Sequence, residues 1–372
     1  MKIICSQIDL SKNLSIVSKA IGGSQLTVLE NILITANSLD REITCIATNL
    51  EIAIKAKTPA EVFTDSDPVQ KVLLPGKQLA SVVRSLPSGM VEIVTSESGA
   101  TVKCGKSNFK LPVAPIEEFP DIKEPEGDGF TISAELLQRA TKQTIFATIP
   151  KDTRPFICSV LFDISNKTLT MVGTDVNRLA IRKMTIEGNP LNEQLMIPVN
   201  SLKKLIDAVP DDKIHFFTSQ NRLFAASEEV TVTVQLMQGQ YPRYEQVIPK
   251  EFAGKMELHR RELVQVLERA ELVEERARLQ INTENNNLTI SSKSNDSQYQ
   301  DEVEIVKHSG ANNFDEVFNI RYLLDFLKSV DGETVELNFI ASLKPVLMRV
   351  SETDDLYQYI AMPINVAKEQ KQ

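Results

Sequence analysis

Apolar residues recur at helical spacing in three widely separated places and draw the same figure each time. In VLLPGKQLASVVRSLPSGMVEI (72–93), Leu79, Val82, Val83 and Leu86 stand at i, i+3, i+4 and i+7. In LMIPVNSLKKLIDAVPDDKIHF (195–216) the set is Leu202, Leu205, Ile206 and Val209; in VFNIRYLLDFLKSVDGETVEL (317–337) it is Leu323, Phe326, Leu327 and Val330. The spacing predicts one short amphipathic helix in each. The flanks repeat too. Leu74, Ile197 and Phe318 lie five positions before the first anchor, and Val91, Ile214 and Val335 five after the last. Pro87, Pro210 and the Asp331-Gly332 pair punctuate the helix ends.

A second helical pattern recurs as IDLSKNLSIVSKA (8–20), SAELLQRATKQTIF (133–146) and HRRELVQVLERAELV (259–273). Alternating runs such as NILITA, EITCIAT, TLTMVGT, VTVTVQL and NNLTISS follow and read as half-buried strands. Proline-rich stretches, PVAPIEEFPDIKEPEGDG (112–129) and QYPRYEQVIPKEFAGK (240–255), separate the copies, with Pro120 and Pro242 each behind an aromatic residue. The chain therefore reads as an α+β tandem array of three similar domains, 1–122, 123–250 and 251–372, each strand-rich with two helices.

Composition changes the picture where charge enters. The 372 residues, 42% apolar, exceed one ordinary domain. The net charge of −9 argues against a polyanion-binding surface spread over the whole molecule. Yet the six helical segments together carry +6, which leaves −15 on everything else. Cationic helices on one concave face would hold phosphate backbone without reading bases; solvated helix faces rich in lysine are the plainer explanation. Six helices about 10 Å apart close a circle of roughly 19 Å, too narrow for a duplex inside, whereas twelve give roughly 38 Å across the axes and an opening of about 28 Å. A ring around DNA would thus need two chains.

The four cysteines form no CxxC, so neither a zinc site nor a disulfide framework is expected, and no cofactor or metal. No run reaches the roughly 18 apolar residues of a membrane span, and MKIICSQIDLSKN turns polar too soon for a signal peptide. A cytoplasmic protein without membrane partners is expected. No GxxxxGK[ST] phosphate loop occurs. In MVGTDVNRLAIRK (171–183), Asp175 and Arg178 are open to three readings: a structural turn, a binding rim, or a catalytic pair. The last lacks a nucleophile and base within local reach, since His215, His259 and His308 are far apart.

The triple repeat, the TDVNRLA and QGQYPRYEQVIPK segments and the C-terminal YQYIAMPIN resemble the bacterial sliding clamps, the beta subunits of DNA polymerase III, over essentially the whole chain. The resemblance implies a DNA-clamp fold with antiparallel sheets outside and two helices per domain lining the inner face. It implies a head-to-tail homodimeric ring that slides on double-stranded DNA without sequence preference and confers processivity rather than catalysis. It implies partners that dock short linear motifs: the replicative polymerase, an ATP-driven clamp loader, and repair and translesion polymerases. The groove carried over is Ile157, Thr174, Asn177, Arg178, Leu179, Pro242, Val247, Asn319, Tyr322, Ile360, Met362, Pro363 and Ile364. Leu179, Val247, Ile360 and Met362 would accept leucine or phenylalanine while Arg178 and Asn319 orient the peptide.

For DNA, the resemblance carries over Lys77 and Lys151, and the charge count adds Arg84, Arg139, Lys142, Lys203, Lys204 and Arg321. The family usually has Gly-His where this chain has Val176-Asn177, and basic residues at Gln246, Asn365, Ser24 and Asn200. Segment 101–110 carries +3, with Lys103, Lys106 and Lys110, while 296–304 carries −4, with Asp301, Glu302 and Glu304. These would meet at the dimer seam, with Phe109 and Leu111 against Leu272 and Val273; two ordinary solvated edge strands are the alternative. A peptide-binding scaffold that never meets DNA, and a hydrolase using Asp175, are the competing functions.

Overall fold

The computed structural model describes all residues except 24, 65–66, 97–98, 125–128, 189–191, 210–212, 283, 352–355 and 366–372. Ser24 and Pro210 thus lie outside the described residues. One order of elements runs through the chain three times. The first copy is β1 (Lys2–Ser6), α1 (Gln7–Val17), β2 (Asn31–Asn37), β3 (Glu42–Thr48), β4 (Ile52–Phe63), β5 (Val69–Pro75), α2 (Gly76–Ser85), β6 (Met90–Ser96), β7 (Gly99–Cys104) and β8 (Ser107–Leu111). The second is β9 (Gly129–Ser133), α3 (Ala134–Thr144), β10 (Ser159–Ser165), β11 (Thr168–Thr174), β12 (Arg178–Thr185), the two-residue β13 (Glu187–Gly188), β14 (Glu193–Pro198), α4 (Val199–Ala208), β15 (Lys213–Ser219), β16 (Arg222–Ala226) and β17 (Val230–Gln235). The third is β18 (Gly254–His259), α5 (Arg260–Glu271), β19 (Arg276–Asn282), β20 (Asn287–Lys293), β21 (Gln298–Gly310), β22 (Asp315–Asn319), α6 (Ile320–Ser329), β23 (Thr334–Phe339), β24 (Val346–Val350) and β25 (Tyr357–Ala361).

The helical figure seen in the sequence is a strand-helix-strand hinge. Leu74, Ile197 and Phe318 sit in the strand before α2, α4 and α6; Val91, Ile214 and Val335 sit in the strand after; all six are buried. Their burial, with that of Leu79, Leu202 and Leu323, pins each helix to its sheet at about 1.5–3 kcal/mol per side chain. In the first copy Ser6 caps α1 by accepting from the Asp9 N–H, and in the third Asn319 caps α6 by accepting from Arg321 N–H.

Two compact units result: Met1–Leu137, Ile186–Pro190 and Asn200–Leu236 form one, and Gln138–Thr185, Leu191–Val199 and Met237–Gln372 the other. The first holds a 13-stranded antiparallel sheet in which β4 of the first copy pairs with β17 of the second, Ile54 opposite Val232. The second holds a 12-stranded sheet in which β12 of the second copy pairs with β25 of the third, Leu179 opposite Ile360. The joints follow one rule: the fourth strand of one copy takes the last strand of the next.

Candidate functional site

The β12–β25 joint carries a cleft. Because Leu179 and Ile360 are register partners, they present adjacent apolar side chains, and Met362 continues them through its N–H to Asn177 O at 2.9 Å. The proline-rich segment 240–248 folds over this strip. Tyr241 donates to Val172 O at 3.3 Å and Tyr244 to Asp163 Oδ2 at 2.8 Å, which anchors both rings by their polar ends. Burial, joined for Tyr244 by the bond to Asp163, raises both phenol pKa values, so the rings stay neutral. Phe156 packs edge-on against Tyr241, centroids 6.0 Å apart. The cavity left between is about 220 Å³, lined by Thr174, Val176, Asn177, Arg178, Leu179, Pro242, Arg243, Val247, Ile360 and Met362 with these three aromatics. No carboxylate among the described residues lines it.

The turn between β11 and β12 forms one wall. Thr174 Oγ1 donates to Arg178 O at 2.7 Å and accepts from Val176 N, and Asp175 Oδ1 accepts from the N–H groups of Asn177 and Arg178, both at 3.0 Å. The Arg178 side chain, 10% exposed, lies across the turn. Its Nε reaches Asp175 Oδ2 at 2.9 Å, Nη1 reaches Asp325 Oδ2 at 2.5 Å, and Nη2 donates to Phe146 O at 2.6 Å. The guanidinium also lies 4.4 Å from the Tyr322 ring centroid. Burial opposes its charge, but Tyr359, Asp325 and Asp175 outweigh that, and its pKa stays above the ordinary value. The Asp175–Arg178 pair is therefore first a clasp that builds the wall; the structure gives Arg178 neighbours in its own chain for all three nitrogens. Gly173 permits the close approach behind it, since a Cβ there would sit 2.3 Å from Thr144 O.

The remaining groove candidates fall around the cavity rather than on it. Ile157 is wholly buried behind Phe156, because its 3-10 turn (Pro155–Cys158) points it into the core. Asn319 uses its side-chain oxygen to cap α6, and Tyr322 lies under Arg178 with its carbonyl accepting from Tyr359 Oη at 2.8 Å. Pro363 and Ile364 are half-buried, Ile364 N bonding to Val317 O at 2.7 Å. Phe156, Val176, Tyr241, Arg243 and Tyr244 were not among the candidates. The aromatic pair in QYPRY was the signal that a linker reading passed over.

The helix cations divide sharply. Lys77 and Arg84 on α2, Lys142 on α3, Lys151 and Lys203 are exposed, Lys204 is half-buried, and none makes an ion pair among the described residues. Arg139 on α3 is exposed and engaged within the chain. In the third copy the cations are answered locally. Arg321 pairs with Glu271 at 2.9 Å, Lys328 with Glu268 at 2.7 Å, and Arg260 donates to Leu327 O and Gly332 O at the end of α6. Among the six helix segments the unneutralised charge thus sits mainly on the first two copies.

Several strand edges have no partner among the described residues: β5, β13, β14 and β22 each have a single strand neighbour, and so do two further segments. β8 pairs only with β7, and residues 298–304 of β21 pair only with β20, since β18 takes just the second half of β21. Phe109 and Lys110 are exposed on β8, Lys106 in the turn before it and Lys103 on β7, while Leu111, two residues beyond Phe109 on the same face, is buried at 3% exposure. Near β21, Leu272 is 86% exposed and Val273 half-buried. Asp301 accepts from Arg269 at 2.8 Å and from Tyr299 Oη, Glu302 accepts from Asn285 and Asn287, and Glu304 is exposed. The bond from Glu302 N–H, with Arg269 and Tyr299, holds the Asp301 carboxyl below the usual range.

A chain that repeats one two-helix domain of eight strands, with the short β13 added in the second copy, and joins the copies strand to strand has the architecture of a DNA clamp. Comparison with known proteins agrees. Residues 1–123 match the DNA polymerase III beta subunit N-terminal domain, 131–243 the central domain and 245–365 the C-terminal domain. The chain belongs to the DNA polymerase III beta subunit family. It is 27% identical over 352 residues to the beta sliding clamp of Staphylococcus epidermidis, covering 92% of this chain and 91% of that one. Against the beta sliding clamp of Pseudomonas aeruginosa it is 26% identical over 364 residues, covering 96% and 98%. The crystal structure of the P. aeruginosa DNA polymerase III subunit beta superposes with TM-score 0.90 at 25% identity, over 98% of this chain and 100% of that. That of the Thermotoga maritima beta subunit gives 0.88 at 25%, over 98% and 99%. In the described helices none is long and apolar enough to cross a membrane.

Proposed function

We propose that two copies of this chain close head to tail into a ring around duplex DNA and tether polymerases and other replication factors that bind the β12–β25 cleft. The observation that carries this is the joint rule. Within the chain, the fourth strand of each copy pairs with the last strand of the next, as β4–β17 and β12–β25. Continued once more, the rule asks β21 to take β8 of another chain, and both segments have an open edge. Their charges match, lysines along β7 and β8 against Asp301, Glu302 and Glu304, and Phe109 and Leu272 are the exposed apolar groups beside them. A pair of edges in one chain that complement each other but not themselves makes a heterologous contact, which closes into a ring when the rotation allows.

The domains on this reading are 1–122, 123–250 and 251–372. Lys77, Arg84, Arg139, Lys142, Lys151, Lys203 and Lys204 would face phosphate with little sequence preference, since exposed lysine and arginine offer screened, replaceable contacts. The third copy, with Arg321 paired to Glu271, would contribute less. Among the described residues nothing in the groove arranges a nucleophile with a base, and Asp175 is engaged by three donors of its own turn, which favours tethering over turnover. The test is twofold. Native mass should give two chains, and loaded protein should stay on nicked circular DNA but run off after linearisation. A strictly monomeric particle, or equal retention on both DNA forms, would overturn the ring.

A further inference from the structure

We infer that Val176 is a specificity-determining contact of the cleft, selecting partner peptides that lay a bulky apolar side chain, rather than a polar one, across the Thr174–Arg178 turn. This rests on the cleft being a peptide site. Val176 lines the cavity and is 56% exposed, so more than half of it is left uncovered in the chain alone. Its backbone is left-handed, φ +81°. The other non-glycine residues with positive φ among those described are Arg41, Leu50, Asn166, Lys167, Gln220, Asn221, Asn286 and Leu343. Val176 is the β-branched one, the side-chain type that this conformation disfavours most.

The turn imposes that conformation from both ends, through Thr174 Oγ1 on Val176 N at 3.1 Å and Asp175 Oδ1 on Asn177 N at 3.0 Å. A valine here opposes the local backbone and stays more than half exposed in the folded chain. What it offers is an apolar lip held rigidly over a cavity whose other walls are Leu179, Val247, Ile360 and Met362. Because no carboxylate among the described residues lines the cavity and Arg178 is clasped by its own chain, an apolar residue crossing the lip meets methyl groups and loses little, whereas a polar one is stripped of water with only the Asn177 and Arg243 side chains of the lining to replace it.

The test uses the full-length chain and a fluorescein-labelled decapeptide with leucine and phenylalanine anchors, plus analogues with each apolar residue replaced in turn by serine. Val176→Gly should weaken the parent peptide about three- to tenfold, and one serine analogue should no longer be discriminated, as expected for losing one buried aliphatic contact. The thermal midpoint should hold or rise, because glycine accepts positive φ. Val176→Asn, which tolerates the same backbone without glycine's freedom, should show the same binding loss. Wild-type affinity in Val176→Gly, wild-type affinity in Val176→Asn alone, or a binding loss tracking a lowered midpoint would each overturn the inference while leaving the cleft a peptide site. Failure of the wild-type chain to bind any of the peptides would instead sink the cleft reading, and this inference with it.

Discussion

Replacing Arg178 with alanine separates a wall-building arginine from a ligand-binding one. The structure sets the size of the effect. Asp175, 6% exposed at its side chain, loses the Nε donor at 2.9 Å. Breaking a buried pair costs about 3–5 kcal/mol, but the two backbone N–H bonds to Oδ1 remain, so about 2 kcal/mol is the better figure here. Phe146 O loses its donor at 2.6 Å, about 1 kcal/mol. The Asp325 contact adds little, because that carboxylate is 40% exposed and rehydrates. Loss of the guanidinium over Tyr322 adds about 0.5–1 kcal/mol. The sum is about 3–4 kcal/mol, enough to lower the first melting transition on the order of 10 °C if a domain-sized unit melts by itself. Differential scanning calorimetry on the full-length variant reads it. Arg178→Lys, which keeps a charge but serves fewer acceptors, should fall between, and Asp175→Asn should cost less because it retains an acceptor. An unchanged melt with peptide binding abolished would refute the clasp and return Arg178 to direct recognition.

Four further outcomes follow from the same geometry. Leu272→Asp or Phe109→Asp should shift native mass from two chains to one without changing the secondary structure, because each places an unpaired carboxylate on an apolar edge. Ala at Lys77 and Arg84 together should reduce the salt dependence of DNA retention more than Arg321→Ala, since Arg321 is already paired with Glu271. Gly173→Ala should destabilise by about 1–3 kcal/mol in urea unfolding, as its Cβ would meet backbone at 2.3 Å. Burial pushes the Cys5 and Cys45 thiols from 9.0 up to about 12, so the folded chain keeps protons that the unfolded chain releases. Their contribution to stability is full below about pH 8.5–9 and is lost as pH rises toward 12, so the melting temperature should fall across that window, and neither thiol should react with Ellman's reagent before unfolding.

The sequence made the helices and the repeat legible because burial imposes a period that survives divergence: Leu79, Leu202 and Leu323 are buried and stand at the same place in their copies. The short helices predicted within 72–93, 195–216 and 317–337 are α2, α4 and α6. Strand pairing was less visible. β4 and β21 are long, and only the structure tells that β4 takes β17 and β3 first and β1 at its end, while β21 takes β20 along its first half and β18 along its second. The clasp was half visible. Asp175 and Arg178 are three residues apart, but Asp325 lies 147 positions further on, and no local pattern announces it. The charge count over helices was right in sign yet blind to pairing, which cancels much of the third copy.

The repeat also explains why one cleft, and not its twin, suits an apolar peptide. In the first unit the segment around Pro120 lies against β2, β3 and β5 as the segment around Pro242 lies against β10, β11 and β12 in the second. Phe119 packs on Leu33, Ile46 and Leu73, and a cavity of about 440 Å³ remains. Its walls, however, carry Lys55, Lys71, Glu117, Asp121 and Glu124, with Lys55 paired to Glu124. Seating leucine or phenylalanine there would strip water from charged groups that gain nothing in return. The frame is shared and the side chains decide. Isothermal titration with the anchor peptide should therefore give one site per chain, abolished by Met362→Asp and indifferent to Lys71→Ala. Two equivalent sites per chain, or a loss of binding on changing Lys71, would show that the side-chain argument is wrong.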